Sequence, residues 1–324
     1  MRTLLWTTVA HDELQRELAE FGAVTVIENR NDVASALAGC DALVMSNPAN
    51  YNEEIAELVR KQRSTLRWIQ FLSAGYEGIA RYGAPSGITI TNAGDCWSPT
   101  VAEHGMMLLL ALARSLPDCL AAQGRASWNG DLRNRLSSLE DRTLLVIGFG
   151  SIGREITRRA KGFGMRVIGL TRSGQASPQA EIQADEMVPA TALIEALGCA
   201  DAIIVALPLS SETYHFIGRP QLAVCRRNAI LINVSRGGVI DPVALDEALR
   251  EKRIAGAGLD VTEPEPLPFD NPLWHAPNLI ITPHIAGFGS PALALRLAAL
   301  VHKNARRFEA GAPLLHQVQV PILA

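Results

Sequence analysis

The sequence predicts an α/β protein made of two doubly wound, parallel-sheet domains. Short apolar runs alternate with helical patterns along the chain, an order typical of parallel sheets covered by helices. The 324 residues are enough for about two domains of ordinary size. Near the middle of the chain, a strand-like run ends in a glycine-rich turn and continues as a helix, an arrangement found at the start of a doubly wound sheet.

The predicted strands fall into two groups, separated by a long helix that starts near Ser98. Before this helix, strands are expected at residues 4–8, 23–27, 42–45, 68–72 and 88–91. After it, strands are expected at residues 143–147, 165–170, 202–207, 230–234, 257–261 and 279–282. A C-terminal helix over residues 292–310 is expected to return to the first group. The predicted domains are therefore residues 1–97 with 290–324, and residues 98–289.

The helix at Ser98 differs from an ordinary surface helix. Ser98 suits the N-cap and Pro99 suits the first helical position. Residues 106–113 are apolar on every side, so we expect them to be covered, either between domains or by another subunit.

The composition argues against several classes of protein. Charged residues make up 19% of the chain and the net charge is −3, so no basic excess predicts nucleic-acid binding. The longest apolar run, residues 106–113, is well short of the ~18 residues of a membrane span, and the N-terminus is typical of a first strand rather than a signal peptide. The five cysteines are scattered without metal-binding or disulfide spacing, which favours a reducing, cytoplasmic location and predicts no metal site.

The glycine-rich turn is the strongest motif in the chain. Gly148, Gly150 and Gly153 follow a strand and open a helix, which is the order required to bind a dinucleotide. The first glycine allows a tight turn, the second lets the backbone approach a pyrophosphate, and the third lets the helix pack on the strand. The alternative is a strand-to-helix turn that binds no ligand.

The residues after the next strand bear on the choice of nucleotide. An NAD site usually places an acidic residue there, about 20 residues after the motif, to bind the ribose hydroxyls. This chain has Thr171-Arg172-Ser173 instead, with no carboxylate between Glu155 and Glu181. Because a guanidinium can bind a 2′-phosphate that a carboxylate would repel, NADP is favoured over NAD. The alternative is a solvated Arg172 in a site that also accepts NAD.

Three residues in the second half of the chain have side chains suited to acid–base chemistry. Arg236, Glu265 and His284 each follow a predicted strand, and the carboxyl ends of strands line the ligand crevice of a doubly wound sheet. They supply a cation that can anchor a carboxylate, a carboxylate that can tune a histidine, and a proton donor. These are the groups that hydride transfer to a 2-keto acid requires.

Other interpretations of these residues remain open. Arg236 could pair with Asp241 at a strand end, and Glu265 could be a solvated loop carboxylate, with Glu263 as the histidine's partner in its place. His284 could also have a structural role. For three other histidines, His104, His275 and His302, a structural role is the interpretation that we favour.

Several blocks of the sequence resemble the D-isomer-specific 2-hydroxyacid dehydrogenase family. They are Gly148-Phe-Gly-Ser-Ile-Gly153, Asn233-Val-Ser-Arg-Gly-Gly-Val-Ile-Asp241, Leu259-Asp-Val-Thr-Glu-Pro-Glu-Pro-Leu-Pro268 and Pro283-His-Ile-Ala-Gly287, with weaker matches at Leu72-Ser-Ala-Gly75 and Thr100-Val-Ala-Glu103. With Thr171-Arg172-Ser173, they are most similar to the NADP-preferring glyoxylate/hydroxypyruvate reductase branch. The resemblance implies a Rossmann nucleotide-binding domain, a flavodoxin-like substrate domain, a cleft between them, and a homodimer built largely on the helix that starts at Ser98.

The resemblance also implies roles for single residues. His284 matches the acid/base, Glu265 its partner and Arg236 the substrate clamp. The loop whose amides would hold the substrate carboxylate is Ser73, Ala74 and Gly75. Beyond the three glycines of the motif and residues 171–173, the implied cofactor-binding positions are Ser151, Ile152, Leu207, Pro208, Val234, Asp260, His284 and Gly287. The chain departs from the family pattern at Tyr76-Glu77 and at Phe288-Gly-Ser290, which leaves the identity of the substrate open.

The function expected from the resemblance is NADPH-dependent reduction of a small 2-keto acid to the D-2-hydroxy acid. Two alternatives stay open on the same scaffold. One is an NAD-linked dehydrogenase of formate or phosphite, and the other is a nucleotide-sensing protein without catalysis. An intact set of Arg236, Glu265 and His284 argues against the second, because a sensor has no need of all three.

Overall fold

The computed structural model of the protein describes residues 1–46, 50–176 and 181–323, and it divides into two compact units. The first unit comprises Met1–Trp97 and Gly289–Ala324, and the second comprises Ser98–Phe288. Gly289 belongs to the first unit, a difference of one residue from the division based on sequence.

The first unit contains a five-stranded parallel sheet. Its N-terminal segment has the strands β1 (Arg2–Trp6), β2 (Ala23–Ile27), β3 (Ala42–Met45), β4 (Trp68–Phe71), β5 (Ala84–Pro85) and β6 (Thr89–Thr91), with the helices α1 (His11–Ala19), α2 (Val33–Ala36), α3 (Glu53–Lys61) and α4 (Glu77–Tyr82). The strand order is β2-β1-β3-β4-β6, and all pairs are parallel. Counting only the strands of this sheet, this is the 2-1-3-4-5 order of a flavodoxin-like fold, as predicted.

The strands β1, β3 and β4 of this sheet are largely buried on both faces. Successive side chains of a strand point to opposite faces. In β1, Leu4 and Trp6 therefore belong to one buried cluster and Leu5 to another. Such continuous apolar runs are typical of parallel sheets buried on both sides.

The second unit contains a seven-stranded parallel sheet. Its strands are β7 (Thr143–Ile147), β8 (Arg166–Thr171), β9 (Glu186–Pro189), β10 (Ala202–Val205), β11 (Ile230–Asn233), β12 (Gly256–Leu259) and β13 (Leu279–Ile281), and its helices are α5 (Ser98–Ala113), α6 (Leu116–Gly124), α7 (Ser151–Gly162), α8 (Leu193–Cys199), α9 (Arg219–Val224) and α10 (Pro242–Arg250). The order β13-β12-β11-β10-β7-β8-β9 is the predicted Rossmann order, extended by one strand. Short 3-10 helices lie at Arg30–Asp32, Gly130–Arg135, Ala190–Ala192, Gly237–Val239 and Pro272–His275.

The helix that begins at Ser98 packs on its own unit along one side. It contacts α7, β11 and β12, and Leu108 and Leu109 are fully buried. Met107 points outward and is exposed. The helix ends at Ala113, and Ser115, with a φ of 49°, turns the chain into α6.

The chain then returns to the first unit. The helix α11 (Pro291–Glu309) packs on α1, and Leu297 and Val301 join the buried cluster that contains Leu14 and Leu18. The strand β14 (Ile322–Leu323) pairs in parallel with β5.

Over the described ranges of the chain, no single helix is long and apolar enough to cross a membrane. The two helices Ser98–Ala113 and Leu116–Gly124 reach that length and hydropathy only together, and they are bent by 64°.

Two glycines of α7 allow a matched test of the packing at its first turn. A Cβ at Gly153 would overlap the carbonyl oxygen of Gly148, whereas a Cβ at Gly162 would meet nothing within 4 Å. We expect Gly153→Ala to lower the free energy of unfolding by about 1–3 kcal/mol, because backbone would have to move. Gly162→Ala should be neutral or stabilise by up to about 1 kcal/mol, because alanine favours a helix.

Thermal and denaturant unfolding of both variants would check this expectation. Equal stability of the two variants would show that the close contact between Gly153 and Gly148 does not constrain the turn.

Candidate active site

The predicted functional residues of the second unit lie at one edge of its sheet. All seven strands are parallel, so their carboxyl ends meet at the same edge. The loops that leave this edge carry, in spatial order, His284 after β13, Glu265 after β12 and Arg236 after β11. Next come Leu207 after β10, the glycine turn after β7 and Arg172 after β8. This order places acid–base groups at one end of the edge and the glycine turn towards the other.

The glycine turn has the geometry needed to hold a pyrophosphate. Gly148 has a φ of +100°, and a Cβ there would lie 2.6 Å from the carbonyl oxygen of Ala206, so only glycine fits. Gly150 precedes α7 and provides no side-chain cap, and a Cβ there would meet nothing within 4 Å. Ser151 and Ile152 follow in the first turn of α7. Their amides, together with the helix dipole, suit a phosphate group.

Arg172 lies just beyond the end of β8, and its side chain is 87% exposed. Its Nη2 donates to Oε2 of Glu212 at 2.6 Å. Glu212 comes from the loop after β10, so its carboxylate is distant in sequence from Arg172. This partner was not predicted, because it lies 40 residues from Arg172 and no carboxylate occurs near residue 172 in sequence. Of the two neighbours of Arg172, Thr171 donates from Oγ1 to the carbonyl of Gln175, and Ser173 forms an isolated antiparallel β-bridge with Pro189.

The remaining predicted cofactor positions differ in their exposure. Leu207 and Gly287 are half-buried, and Pro208 is exposed. Val234 is buried, and its side chain lies close to Gly105 of α5. A contact of Val234 with a cofactor would therefore have to use its backbone.

His284 and Glu265 form a hydrogen-bonded pair. Nδ1 of His284 lies 2.9 Å from Oε2 of Glu265, and the other oxygen of Glu265 accepts from the amide of Thr262 at 3.2 Å. His284 has a φ of 53°, and its amide donates to the carbonyl of Asp260 at 2.8 Å. Both side chains are partly exposed, which suits groups that must exchange a proton with a ligand.

The pair shifts the pKa of each partner in the direction that favours the ion pair. The pKa of His284 is raised, mainly by the hydrogen bond with Glu265; burial and the charge of Arg236 oppose the shift, and the charges of Glu265 and Asp260 support it. Burial is the largest single influence on Glu265 and raises its pKa, but His284, the Thr262 amide and Arg236 together outweigh it, so the pKa of Glu265 is lowered.

Arg236 lies within electrostatic reach of both members of the pair, because its charge lowers the pKa of each. Its Nη1 donates to the carbonyl of Ser235 at 2.8 Å, and its own carbonyl accepts from Asn233 at 2.9 Å. Asp241, the alternative partner considered from the sequence, caps α10 by accepting from the amides of Val243 and Ala244.

Asp260 is 2% exposed, and its carboxylate organises the segment that carries His284. One oxygen accepts from Oγ1 of Thr282 at 2.6 Å and from the amide of Ile285 at 3.0 Å, and the other accepts from the amide of Ala286 at 2.9 Å. His104 of α5 lies 2.9 Å from Oγ1 of Thr282. The sequence analysis placed Asp260 beside the cofactor and did not foresee its role in holding this segment.

Glu263 has a different partner from Glu265. Its Oε2 lies 2.7 Å from Nε2 of His215, a residue that the sequence analysis did not single out. The alternative pairing of Glu263 with His284 is therefore not the one observed.

The predicted substrate loop belongs to the first unit, where it follows β4. All three of its carbonyls accept hydrogen bonds: Ser73 from the amide of Ala93, Ala74 from Asn92, and Gly75 from Oγ of Ser73. Among the described residues, no hydrogen-bond acceptor is found for the amides of Ala74 and Gly75. The nearby Tyr76 packs against the core of the unit.

Comparison with known proteins identifies relatives along nearly the whole chain. The family model for the NAD-binding domain of D-isomer specific 2-hydroxyacid dehydrogenases matches residues 106–286. A glyoxylate reductase of Korarchaeum cryptofilum is 36% identical over 84% of this chain and 80% of its own length. A D-3-phosphoglycerate dehydrogenase of Methanocaldococcus jannaschii is 37% identical over 88% of this chain, which spans only 53% of that relative.

A solved structure has the same fold. A D-isomer specific 2-hydroxyacid dehydrogenase family protein from Aeromonas salmonicida is 31% identical, with a TM-score of 0.86 and coverage of 98% of both chains.

The hydrogen bond between His284 and Glu265 can be tested without any ligand. We expect Glu265→Gln to lower the pKa of His284, because the neutral amide cannot stabilise the imidazolium as a carboxylate does. Titration of the seven histidines by NMR, with His284 assigned by substitution, would measure this shift. Glu195→Gln on α8 is a suitable control. A His284 titration unchanged by Glu265→Gln would contradict the pairing.

Proposed function

Because the chain belongs to the D-isomer specific 2-hydroxyacid dehydrogenase family, we propose that it reduces a small 2-keto acid, of glyoxylate or hydroxypyruvate type, to the D-2-hydroxy acid with NADPH. The observation that carries the proposal is the His284–Glu265 pair, which lies within electrostatic reach of Arg236 and at the same sheet edge as the glycine turn. One edge thus offers a proton donor, a cation and a site suited to a dinucleotide.

Reduction of a keto group consumes one hydride and one proton. A nicotinamide dinucleotide, held at the glycine turn before α7, would supply the hydride for the carbonyl carbon. Protonated His284 keeps Nδ1–H directed to Glu265 and donates its Nε2 proton to the carbonyl oxygen, leaving a neutral imidazole and the hydroxy acid. The raised pKa of His284 supports this role, because it extends the pH range in which the proton is present.

Arg236 has the chemistry to bind and orient the acid. Its planar guanidinium can donate to a carboxylate oxygen and to the carbonyl oxygen together. Its charge also polarises the carbonyl, which makes the carbon more electrophilic. We assign the rest of the carboxylate binding to the amides of Ala74 and Gly75, in the loop that begins at Ser73, since these amides donate to none of the residues that the structure describes.

The preference for NADPH rests on Arg172. Its exposed guanidinium follows β8, where NAD sites usually present a carboxylate. In the structure, Glu212 accepts a hydrogen bond from this guanidinium at 2.6 Å. A 2′-phosphate would have to replace the Glu212 carboxylate as the partner of Arg172. NAD remains a possible cofactor, because this exchange reduces the gain from the phosphate.

A homodimer in the cytoplasm is part of the same proposal. Beside Met107 of α5, Leu116 and Leu120 of α6 are exposed, and Trp128 beyond them is 99% exposed. Several exposed apolar side chains on neighbouring helices are typical of a surface that binds another subunit. The five free cysteines suit a reducing compartment.

A substrate panel tests the proposal directly. Purified protein would be assayed by nicotinamide absorbance with glyoxylate, hydroxypyruvate and pyruvate in the reducing direction, and with formate, phosphite and D-3-phosphoglycerate in the oxidising direction. The D-3-phosphoglycerate assay covers a second candidate, favoured by the 37% identical relative. Turnover confined to formate or phosphite would refute the proposal, and binding of NADPH without any turnover would favour a sensor.

Arg236→Lys should impair catalysis although it keeps the charge. The ammonium cannot donate to two oxygens of the substrate in one plane, so kcat should fall and KM should rise together. We expect a loss in kcat/KM of about a hundredfold, from misplacement of the carbonyl. NADPH affinity, measured by fluorescence titration, should be nearly unchanged. Near-native turnover of Arg236→Ala would show that the proposed substrate site is wrong.

Arg172→Ala should separate the two cofactors. Loss of a charge-assisted contact should weaken NADPH binding by about 1.5 kcal/mol, a value at the low end for such bonds because the residue is exposed. NADH kinetics should barely change. Steady-state kinetics with both cofactors would measure this, and equal losses with NADPH and NADH would mean that Arg172 does not bind the 2′-phosphate.

A further inference from the structure

His215 adopts a left-handed backbone conformation, as His284 does. It lies in the loop between β10 and α9 with a φ of 49°, in the left-handed region that favours glycine. A non-glycine residue in this region costs of order 1 kcal/mol and persists where surrounding contacts hold it. Two side chains hold the imidazole of His215. Its Nε2 lies 2.7 Å from Oε2 of Glu263, and the ring of Tyr214 stacks on it with 4.0 Å between the ring centroids.

His215 connects two loops of the candidate active site. Its amide donates to the carbonyl of Gly238 at 2.8 Å, two residues after Arg236. Its side chain contacts Glu263, two residues before Glu265. One residue therefore touches both the loop of the substrate clamp and the loop of the carboxylate that pairs with His284.

The loop that carries Glu265 packs closely on the loop of Arg236. A Cβ at Gly237 would overlap the carbonyl of Thr262, so the two backbones are in direct contact there. Inside the Glu265 loop, Oγ1 of Thr262 donates to the carbonyl of Pro264 at 2.9 Å. The contact between Glu263 and His215 also connects this loop, through side chains, to the loop that follows β10.

We propose that His215 is a positioning residue, which holds Glu263 so that Glu265 stays within hydrogen-bond distance of His284. The catalytic consequence of this inference rests on the proposed function. The effect of His215 on the distance between Glu265 and His284 can be measured in the protein without ligand. In this role, His215 acts on Glu265 through Glu263. The groups that face His215 are Glu263 and Tyr214, and those that face His284 are Glu265, Arg236 and Asp260.

Two substitutions separate positioning from a general contribution to stability. His215→Gly removes the tether and also relieves the left-handed strain, so the melting temperature should stay equal or rise. Glu263→Gln removes the charge with little change in shape. Lys252→Gly is the matched control, because Lys252 follows α10 with a φ of 54° and lies outside the candidate site.

The decisive measurement is the pKa of His284 by NMR titration of the free protein. We expect the pKa to fall in His215→Gly and in Glu263→Gln, and to stay constant in Lys252→Gly, because a displaced Glu265 stabilises the imidazolium less. Glu263 also interacts with the side chain of Tyr214, so Glu263→Gln alters more than the contact with His215. An unchanged His284 pKa in both single variants would overturn the proposal.

Kinetics would then test the catalytic consequence. We expect kcat for keto-acid reduction to fall about tenfold in His215→Gly, with unchanged NADPH affinity and with the loss of activity at high pH moved to lower pH. A loss of activity that follows a fall in melting temperature, with an unchanged pH profile, would also overturn the positioning role. If the wild-type protein turned over no keto acid, the proposed function would fail, and the titration would still decide whether His215 positions Glu265.

Discussion

The parallel register of the second sheet is the constraint on which the candidate site depends. Ile147 pairs with Leu170 on one side and with Val205 on the other, and the register continues through Asn233 and Leu259 to Ile281. The loops of all six strands therefore leave the sheet at one level. The register therefore brings residues that are more than a hundred positions apart in sequence, such as Arg172 and His284, to the same edge of the sheet. A slip by one residue in any strand would reverse the faces of its side chains and displace its loop.

A second constraint acts locally, through the buried carboxylate of Asp260. Such a group is costly to bury unless hydrogen-bond donors surround it. Thr282 and the amides of Ile285 and Ala286 supply these donors, so the chain around His284 must wrap the carboxylate. The left-handed conformation of His284 follows from this wrapping. Asp260 also supports the raised pKa of His284, which links the stability of the segment to its chemistry.

Sequence patterns predicted the strands of both large sheets except β9, which is one of the two edge strands of the second sheet. Strand β9 was missed because Glu186–Pro189 is short and partly exposed, so it has no apolar run. The pattern placed Arg236, Glu265 and His284 at strand ends and favoured Glu265 as the partner of His284, with Glu263, two residues away, as the alternative. The choice depends on loop conformation and on His215, which no local motif marks. The contact of Glu212 with Arg172 was missed for a similar reason, because it joins loops from different strands.

We propose that a hydride reaches the carbonyl carbon at this sheet edge while His284 delivers the proton. Reduction of hydroxypyruvate with NADPH deuterated at the transferable position, followed by chiral chromatography and mass spectrometry of the product, tests it most directly. We expect the wild-type protein to form D-glycerate with deuterium at C2, and we expect this reaction to be greatly slowed in His284→Asn. Product without deuterium, product of the L configuration, or undiminished turnover in His284→Asn would contradict it.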